Sequence, residues 1–263
     1  MTSRPLQREA CDDALTFYDQ IANRYDDVTA RDRRIEAVRT YVDAVVTSLE
    51  PESVLDVACG AGLYAVEFAR RGIPVVGLDL SGKMLEKAKR TATAERLPAT
   101  WVRSPMQNLT DAIGQQTFDL ILCMGNSLPH LLSISDLQQT LRAFHHHLNA
   151  QGHLTLQLLN YEKTVGRGER MVGISKGAEG TEYIRFYDFD TPFLRFNVLR
   201  VEWHGTTPTH HLATTTLRPY RERELKHALT NAGFRDPMAL GGLDMSPFEP
   251  GEDDVLVLTA SRK

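Results

Sequence analysis

The sequence predicts an α/β protein: a mostly parallel sheet covered by helices on both faces, followed by an antiparallel β layer. Three observations predict this. Short apolar runs at 53–58, 74–80, 99–104, 118–124 and 152–159 alternate with stretches of helical period. Strands and helices alternating in this way need crossovers, and crossovers bury a parallel sheet between helices. From residue 180 the texture changes to alternating runs at 180–190, 195–205 and 210–220 with turns between them, the pattern of antiparallel strands.

Each element has its own signal. Between Arg31 and Leu49, the apolar residues Ile35, Val38, Val42, Val45, Val46 and Leu49 fall near one helical face. "SVLDVA" (53–58) is a buried strand, and Gly60–Arg71 a helix closed by Gly72, the usual left-handed stop. "PVVGLDL" (74–80) is the second strand. Ser81 is placed to N-cap the next helix, which carries Met84, Leu85 and Ala88. "ATWVRS" (99–104) is the third strand. "FDLILCM" (118–124) is apolar throughout and therefore central. A helix over 136–148 and a strand over 152–159 follow. "RERELKHALTNAGF" (221–234) is a helix ended by Gly233, and "DDVLVLTASR" (253–262) is a last strand. The chain reads as a single domain over 1–263, with a helical segment over 1–49 and an inserted β layer over 161–220.

With 263 residues, 42% hydrophobic and 24% charged, the chain can bury one large core. Its net charge is −4 and its Lys and Arg residues are scattered, so no basic block suggests a nucleic-acid partner. No apolar run is long enough to span a membrane, and the first twenty residues lack the apolar core of a signal peptide. The three cysteines, Cys11, Cys59 and Cys123, are odd in number and far apart. They fit neither a disulfide framework nor a metal site, and imply a reducing, cytoplasmic setting. His145, His146 and His147 point in different directions on a helix, which argues against a metal site.

The segment "VLDVACGAGLYA" (54–65) raises the functional question. Gly60 to Ala65 satisfies G-x-G-x-x-G/A, so a dinucleotide site stays open beside the plainer reading of a tight strand–helix turn. The turn stands at the carboxyl end of the first strand, where open α/β sheets bind ligands. Asp79 ends the second strand, and an acid there can accept hydrogen bonds from both hydroxyls of an adenosine ribose. A nicotinamide cofactor and S-adenosylmethionine share that feature.

"LDVACGAG", "GLDLSGKML", "SPMQNL" and "FDLILCMGNSLPHL", in this order, resemble the class I S-adenosylmethionine-dependent methyltransferases over about residues 50–160. "NAGF" and "DVLVLTASR" resemble that family's closing helix and strand. "CMGNSLPHL" (123–131) and "LLNYEK" (158–163) resemble the glycine/sarcosine N-methyltransferase group in particular. The resemblance implies a Rossmann-like sheet of seven strands, the last antiparallel, with the inserted β layer and an N-terminal helical lid. It implies S-adenosylmethionine as cofactor and a small-molecule methyl acceptor as partner.

The resemblance also implies roles. Ala58, Gly60 and Gly62 would lie against the methionine part of the cofactor, and Asp79 would take its ribose. Met106 and Gln107 would flank the adenine, Met84 and Met124 would touch the cofactor, and His130 would contact it too. Arg34 would pair with its carboxylate, while Tyr18 and Tyr25 would fold over it. Asn126 would face the acceptor, with His130 and Tyr161 as candidates for a base. Each has a plainer alternative: the methionines as packing, Asn126 and His130 as loop residues, the tyrosines as sheet-edge packing. Two departures stand out. Pro105 occupies the position of an acid beside the adenine, and Leu159 that of an arginine which holds the acceptor carboxylate in glycine-type relatives. The resemblance implies an amine acceptor, with an aromatic or carboxylate oxygen as the alternative, while Leu159 weakens the case for a small amino acid. A nicotinamide-dependent oxidoreductase and a non-catalytic binding module are the readings from other classes.

Overall fold

The computed structural model describes residues 3–178 and 180–262. In chain order the elements are α1 (Ser3–Ile21), α2 (Tyr25–Val28), α3 (Arg31–Leu49), β1 (Val54–Val57), α4 (Leu63–Arg70), β2 (Val75–Asp79), α5 (Gly82–Ala94) and β3 (Ala99–Arg103). There follow α6 (Leu109–Ile113), β4 (Phe118–Cys123), α7 (Ile134–His146), β5 (Leu148–Leu159), α8 (Tyr161–Arg167) and β6 (Met171–Lys176). The chain continues through β7 (Thr181–Asp190), β8 (Phe193–His204), β9 (Thr207–Leu217), α9 (Glu222–Asn231), β10 (Arg235–Leu240) and β11 (Val255–Ser261).

β1 pairs in parallel with β2 on one side and β4 on the other, so the seven-stranded order β10-β11-β5-β4-β1-β2-β3 reverses between β1 and β4. A crevice opens at such a reversal, outside the carboxyl ends of the strands. β11 runs antiparallel to both β5 and β10, the one reversed strand of the sheet. Successive strand residues face opposite sides, and the two sides are dressed separately. Val54, Leu120 and Leu122 pack with Val38, Tyr41 and Val42 of α3 and Phe68 of α4. Leu55, Ile121 and Cys123 pack with Leu141 and Phe144 of α7 and Leu225 of α9.

The second sheet is antiparallel, in the order β6-β7-β8-β9. Phe17, Ile21 and Val28 of the first two helices cluster with Tyr183, Val198 and Ala213 on its inner face. Polar clamps hold this cover at both ends. The Asp13 carboxylate accepts from Thr215 Oγ1 (3.0 Å) and the Thr216 amide (2.8 Å) on β9. Ser81 Oγ donates to Asp19 at 2.6 Å, and Lys87 pairs with Asp26 at 3.0 Å, tying α1 and α2 to α5. Among the described residues no helix is long and apolar enough to cross a membrane.

The predicted strands and helices form with shifts of a few residues at their ends, and Ser81 caps α5 by accepting from the Met84 amide at 3.2 Å. Four elements lack a sequence signal, among them the five-residue α6. β10 carries Pro237 and has no fully buried residue, because it is an edge strand with little to bury. β6 is interrupted by Gly173 and α8 has only seven residues. The histidine run is structural: His147 is buried, with Nδ1 2.7 Å from the Gln116 carbonyl and Nε2 3.1 Å from Thr110 Oγ1. His145 meets the Phe234 ring edge-on at 5.2 Å.

Candidate active site

The turn after β1 is left-handed three times, at Ala58 (φ 56°), Gly60 (φ 55°) and Gly62 (φ 79°). Its glycines do different jobs. A Cβ on Gly62 would stand 2.9 Å from Ala88 Cβ and 3.0 Å from the Trp101 ring, so this glycine lets α4 pack on α5 and β3. On the side where a Cβ would point, Gly62 faces protein, and its amide donates to the Cys59 carbonyl at 2.9 Å. A Cβ on Gly60 would meet only Met84 Cε at 3.4 Å and the Tyr25 hydroxyl at 3.9 Å, at the wall of the crevice.

Asp79 faces Gly60 across the mouth of β1. Its carboxylate accepts from the Gly60 amide (2.7 Å) and the Ser81 amide (2.8 Å), one on each oxygen. A carboxylate has about four lone-pair positions, so each oxygen keeps one directed elsewhere. Asp79 lines the crevice, and burial pushes its pKa up to about 6, against the pull of those amides. Asp56, which the sequence reading passed over, is buried on β1, accepts from the Ala65 amide at 3.1 Å and is pushed up by burial to about 7.

The crevice has three connected chambers. The first is lined by Asp79, Met84, Met106, Gln107 and Pro105, and by Cys11 and Ala14 of α1, whose small side chains admit the helix. Gln107 Nε2 reaches Cys11 Sγ at 3.6 Å. The second is lined by Arg34, Asp56, Ala58, Gly60, Tyr64 and Met124. The third has a volume of about 420 Å³ and includes Arg34, Tyr64, Asn126, His130, Gln157 and Arg185 in its wall. Tyr25 borders all three, and Tyr18 and His130 stand between the first and third. The Tyr18 hydroxyl is 3.1 Å from His130 Nε2, which joins the cover to the loop after β4. Burial lowers the His130 pKa to about 4, so the ring is neutral at pH 7.

Asn126 follows Gly125, and both are left-handed (φ 69° and 71°), giving the sharp exit from β4 that aims Asn126 at the third chamber. Its Oδ1 accepts from the Leu159 amide at 3.0 Å, and its side chain holds the Tyr161 hydroxyl within 3.0 Å. Tyr161 itself is buried behind Asn126, packed with Tyr187 and Leu194, and burial raises its pKa well above the phenol range. It thus stands behind Asn126 and outside the lining of the third chamber, where the resemblance implied a candidate base. Gln157 and Tyr64 went unnoticed in the sequence: the Tyr64 hydroxyl donates to Gln157 Oε1 at 3.2 Å, and Gln157 Oε1 also receives the Gly125 amide at 3.3 Å. The alternation along β5 would have put Gln157 among apolar neighbours at a strand end, the only cue available.

Comparison with known proteins fits this geometry. Residues 54–152 match the family model described as a methyltransferase domain. The chain is 30% identical over 194 residues to a glycine/sarcosine N-methyltransferase of Aphanothece halophytica, covering 72% of this chain and 68% of that one. It is 27% identical over 150 residues to the ubiquinone biosynthesis O-methyltransferase of Proteus mirabilis, covering 56% and 59%. Its fold superposes on an S-adenosylmethionine-dependent methyltransferase from Clostridium acetobutylicum with a TM-score of 0.76 at 18% identity, covering 93% of this chain and 98% of that one. These kinships remove the nicotinamide alternative. Motif order, strand order and sequence similarity agree, and the chain belongs to the class I S-adenosylmethionine-dependent methyltransferases.

Proposed function

We propose that this methyltransferase methylates the nitrogen of a small-molecule amine seated in the third chamber. The residues that would hold the cofactor line the other two. Asp79 offers the ribose two free acceptor positions on a buried carboxylate, and the open side of Gly60 leaves room for a ligand against the backbone. Met84, Met106 and Gln107, which line the first chamber, would border the adenine. Arg34, which forms no ion pair among the described residues, answers the cofactor carboxylate with a fork that matches it. Ala58 and Met124 border the methionine chain, and Tyr18 and Tyr25 close over the whole.

When bound, S-adenosylmethionine supplies a methyl group on a sulfonium whose departing thioether is neutral and needs no acid. The chain's task is then to orient the acceptor, desolvate it and exclude water, which can supply about 7–11 kcal/mol of the barrier. Asn126 orients the acceptor with the amide hydrogen not given to Tyr161. His130, which like Tyr18 borders both the first and third chambers, presents a neutral ring.

One observation favours nitrogen over oxygen. The titratable groups that line the third chamber among the described residues are arginine, tyrosine and a histidine held at about 4. None takes a proton from a hydroxyl near neutral pH, whereas a free amine carries its own lone pair. The 30% identity to a glycine/sarcosine N-methyltransferase supports the same choice. The test is turnover of an amine panel, including glycine and sarcosine, beside catechols and benzoates. S-Adenosylhomocysteine should form with an N-methyl product, at a rate that rises with pH as the acceptor's own free-amine fraction. Methylation of oxygen alone would contradict the proposal.

Cofactor affinity should depend on pH in a defined sense. Only the ionised Asp79 gives both hydroxyls a charged acceptor, and its pKa of about 6 lies above the ordinary aspartate value. Protons therefore compete with ligand as pH falls through 6. The dissociation constant for S-adenosylhomocysteine should be flat above about pH 7 and rise toward tenfold per unit below 6, the limit for one linked proton. In Asp79→Asn the rise below pH 6 should be lost, any dependence left near pH 7 belonging to Asp56 in the second chamber; calorimetry from pH 5 to 8 reads both.

A further inference from the structure

Arg185 stands in the middle of β7, opposite Gly173 on β6 and Val198 on β8. Strand alternation puts it on the same face as Tyr183 and Tyr187, both buried under the helical cover, and its side chain lines the third chamber. Gly173 makes room for it: a Cβ there would stand 3.0 Å from Arg185 Nη2. Arg185 Nε is buried without a hydrogen-bond partner, and among the described residues the guanidinium forms no ion pair. The charged and titratable groups around it are Arg34, Tyr25 and Tyr187. Burial and the neighbouring Arg34 together hold its pKa below the usual arginine value.

Such a group is costly as it stands. A half-buried cation without a counter-charge gives up hydration for nothing in return, and a second cation beside it adds repulsion. If the cofactor carboxylate answers Arg34, Arg185 is still unanswered, and its side chain lines the third chamber. Cavities of about 300–1,000 Å³ hold drug-sized ligands, and this one, at about 420 Å³, falls within that range. Leu159, Phe196 and Leu217 give it apolar walls. Resting on the assignment of this chamber to the acceptor, we propose that Arg185 binds an anionic group of the methyl acceptor, a carboxylate or phosphate carried on an apolar body. Arg185 thereby becomes a specificity residue: neutral amines lose the charge-assisted contact and bind about tenfold or more weakly.

The test uses S-adenosylhomocysteine-loaded protein, with benzoate, phenyl phosphate and the neutral isostere benzamide as probes, titrated by calorimetry. Benzoate or phenyl phosphate should bind about tenfold or more tightly than benzamide, and whichever binds better identifies carboxylate or phosphate as the preferred anion. Arg185→Gln should bring the better anion to within about twofold of benzamide, and Arg185→Lys should restore part of the difference. Equal binding of anions and benzamide by the unaltered protein would overturn the proposal, as would an anion preference that survives in Arg185→Gln. The unaltered protein decides the matter by itself should the glutamine variant fail to fold. Failure of S-adenosylhomocysteine to bind the unaltered protein would instead strike the cofactor site, on which the chamber's assignment rests.

Discussion

Asp79→Ala should weaken S-adenosylhomocysteine binding by about ten- to hundredfold. The deleted carboxylate is the acceptor proposed for both ribose hydroxyls, and charge-assisted hydrogen bonds contribute about 1.5–3 kcal/mol. The same carboxylate receives the Gly60 and Ser81 amides, so alanine also leaves two donors without their partner. Asp79→Asn separates the effects, since its single carbonyl oxygen still serves one amide while the charge is lost. It should retain a melting temperature close to that of the unaltered protein and lose most of the affinity. Calorimetric constants within twofold for all three proteins would show that the ribose is held elsewhere.

Gly60 and Gly62 should respond differently to alanine despite their shared left-handed backbone. Both substitutions pay the backbone cost of that conformation, about 1–2 kcal/mol. Gly62→Ala adds a Cβ 2.9 Å from Ala88 and 3.0 Å from Trp101, between a helix and a strand that cannot both retreat. Overpacking of that kind costs about 1–3 kcal/mol more, so its melting temperature should fall furthest. Gly60→Ala meets nothing closer than 3.4 Å, the end of the flexible Met84 side chain. It should fold with the smaller loss and show the larger rise in cofactor dissociation constant, because the new methyl stands at the crevice wall. Thermal melts paired with calorimetry on the two variants check this; equal effects on both readouts would contradict the division of labour.

The difference between these glycines marks the limit of what the sequence conveys. The pattern at 58–62 locates the turn, since left-handed residues at a strand exit have few substitutes. It does not reveal which glycine faces ligand and which faces Trp101, because that depends on how β3 lies beside β2. The sheet was legible wherever strands are buried, as in β1, β2 and β4, whose apolar runs leave little ambiguity. β10 was not, since an exposed edge strand need not carry an apolar pattern. Asp79 was legible from its place at a strand end. Tyr161 looked like a wall residue until the left-handed Gly125–Asn126 exit put Asn126 in front of it. Arg185 was one arginine among several in the inserted layer. Its importance appears only when strand register places it inward, opposite a glycine and beside Arg34.

The central claim is that the cofactor lies across the carboxyl ends of β1, β2 and β4 with its sugar on Asp79. A crystal structure of the complex with S-adenosylhomocysteine tests it most directly. Both ribose hydroxyls should lie within hydrogen-bond distance of the Asp79 oxygens, with the amino-acid carboxylate against Arg34 and the sulfur turned toward the chamber bordered by Asn126 and His130. A ribose bound away from Asp79, or a carboxylate that keeps only its Gly60 and Ser81 amides in the complex, would contradict it.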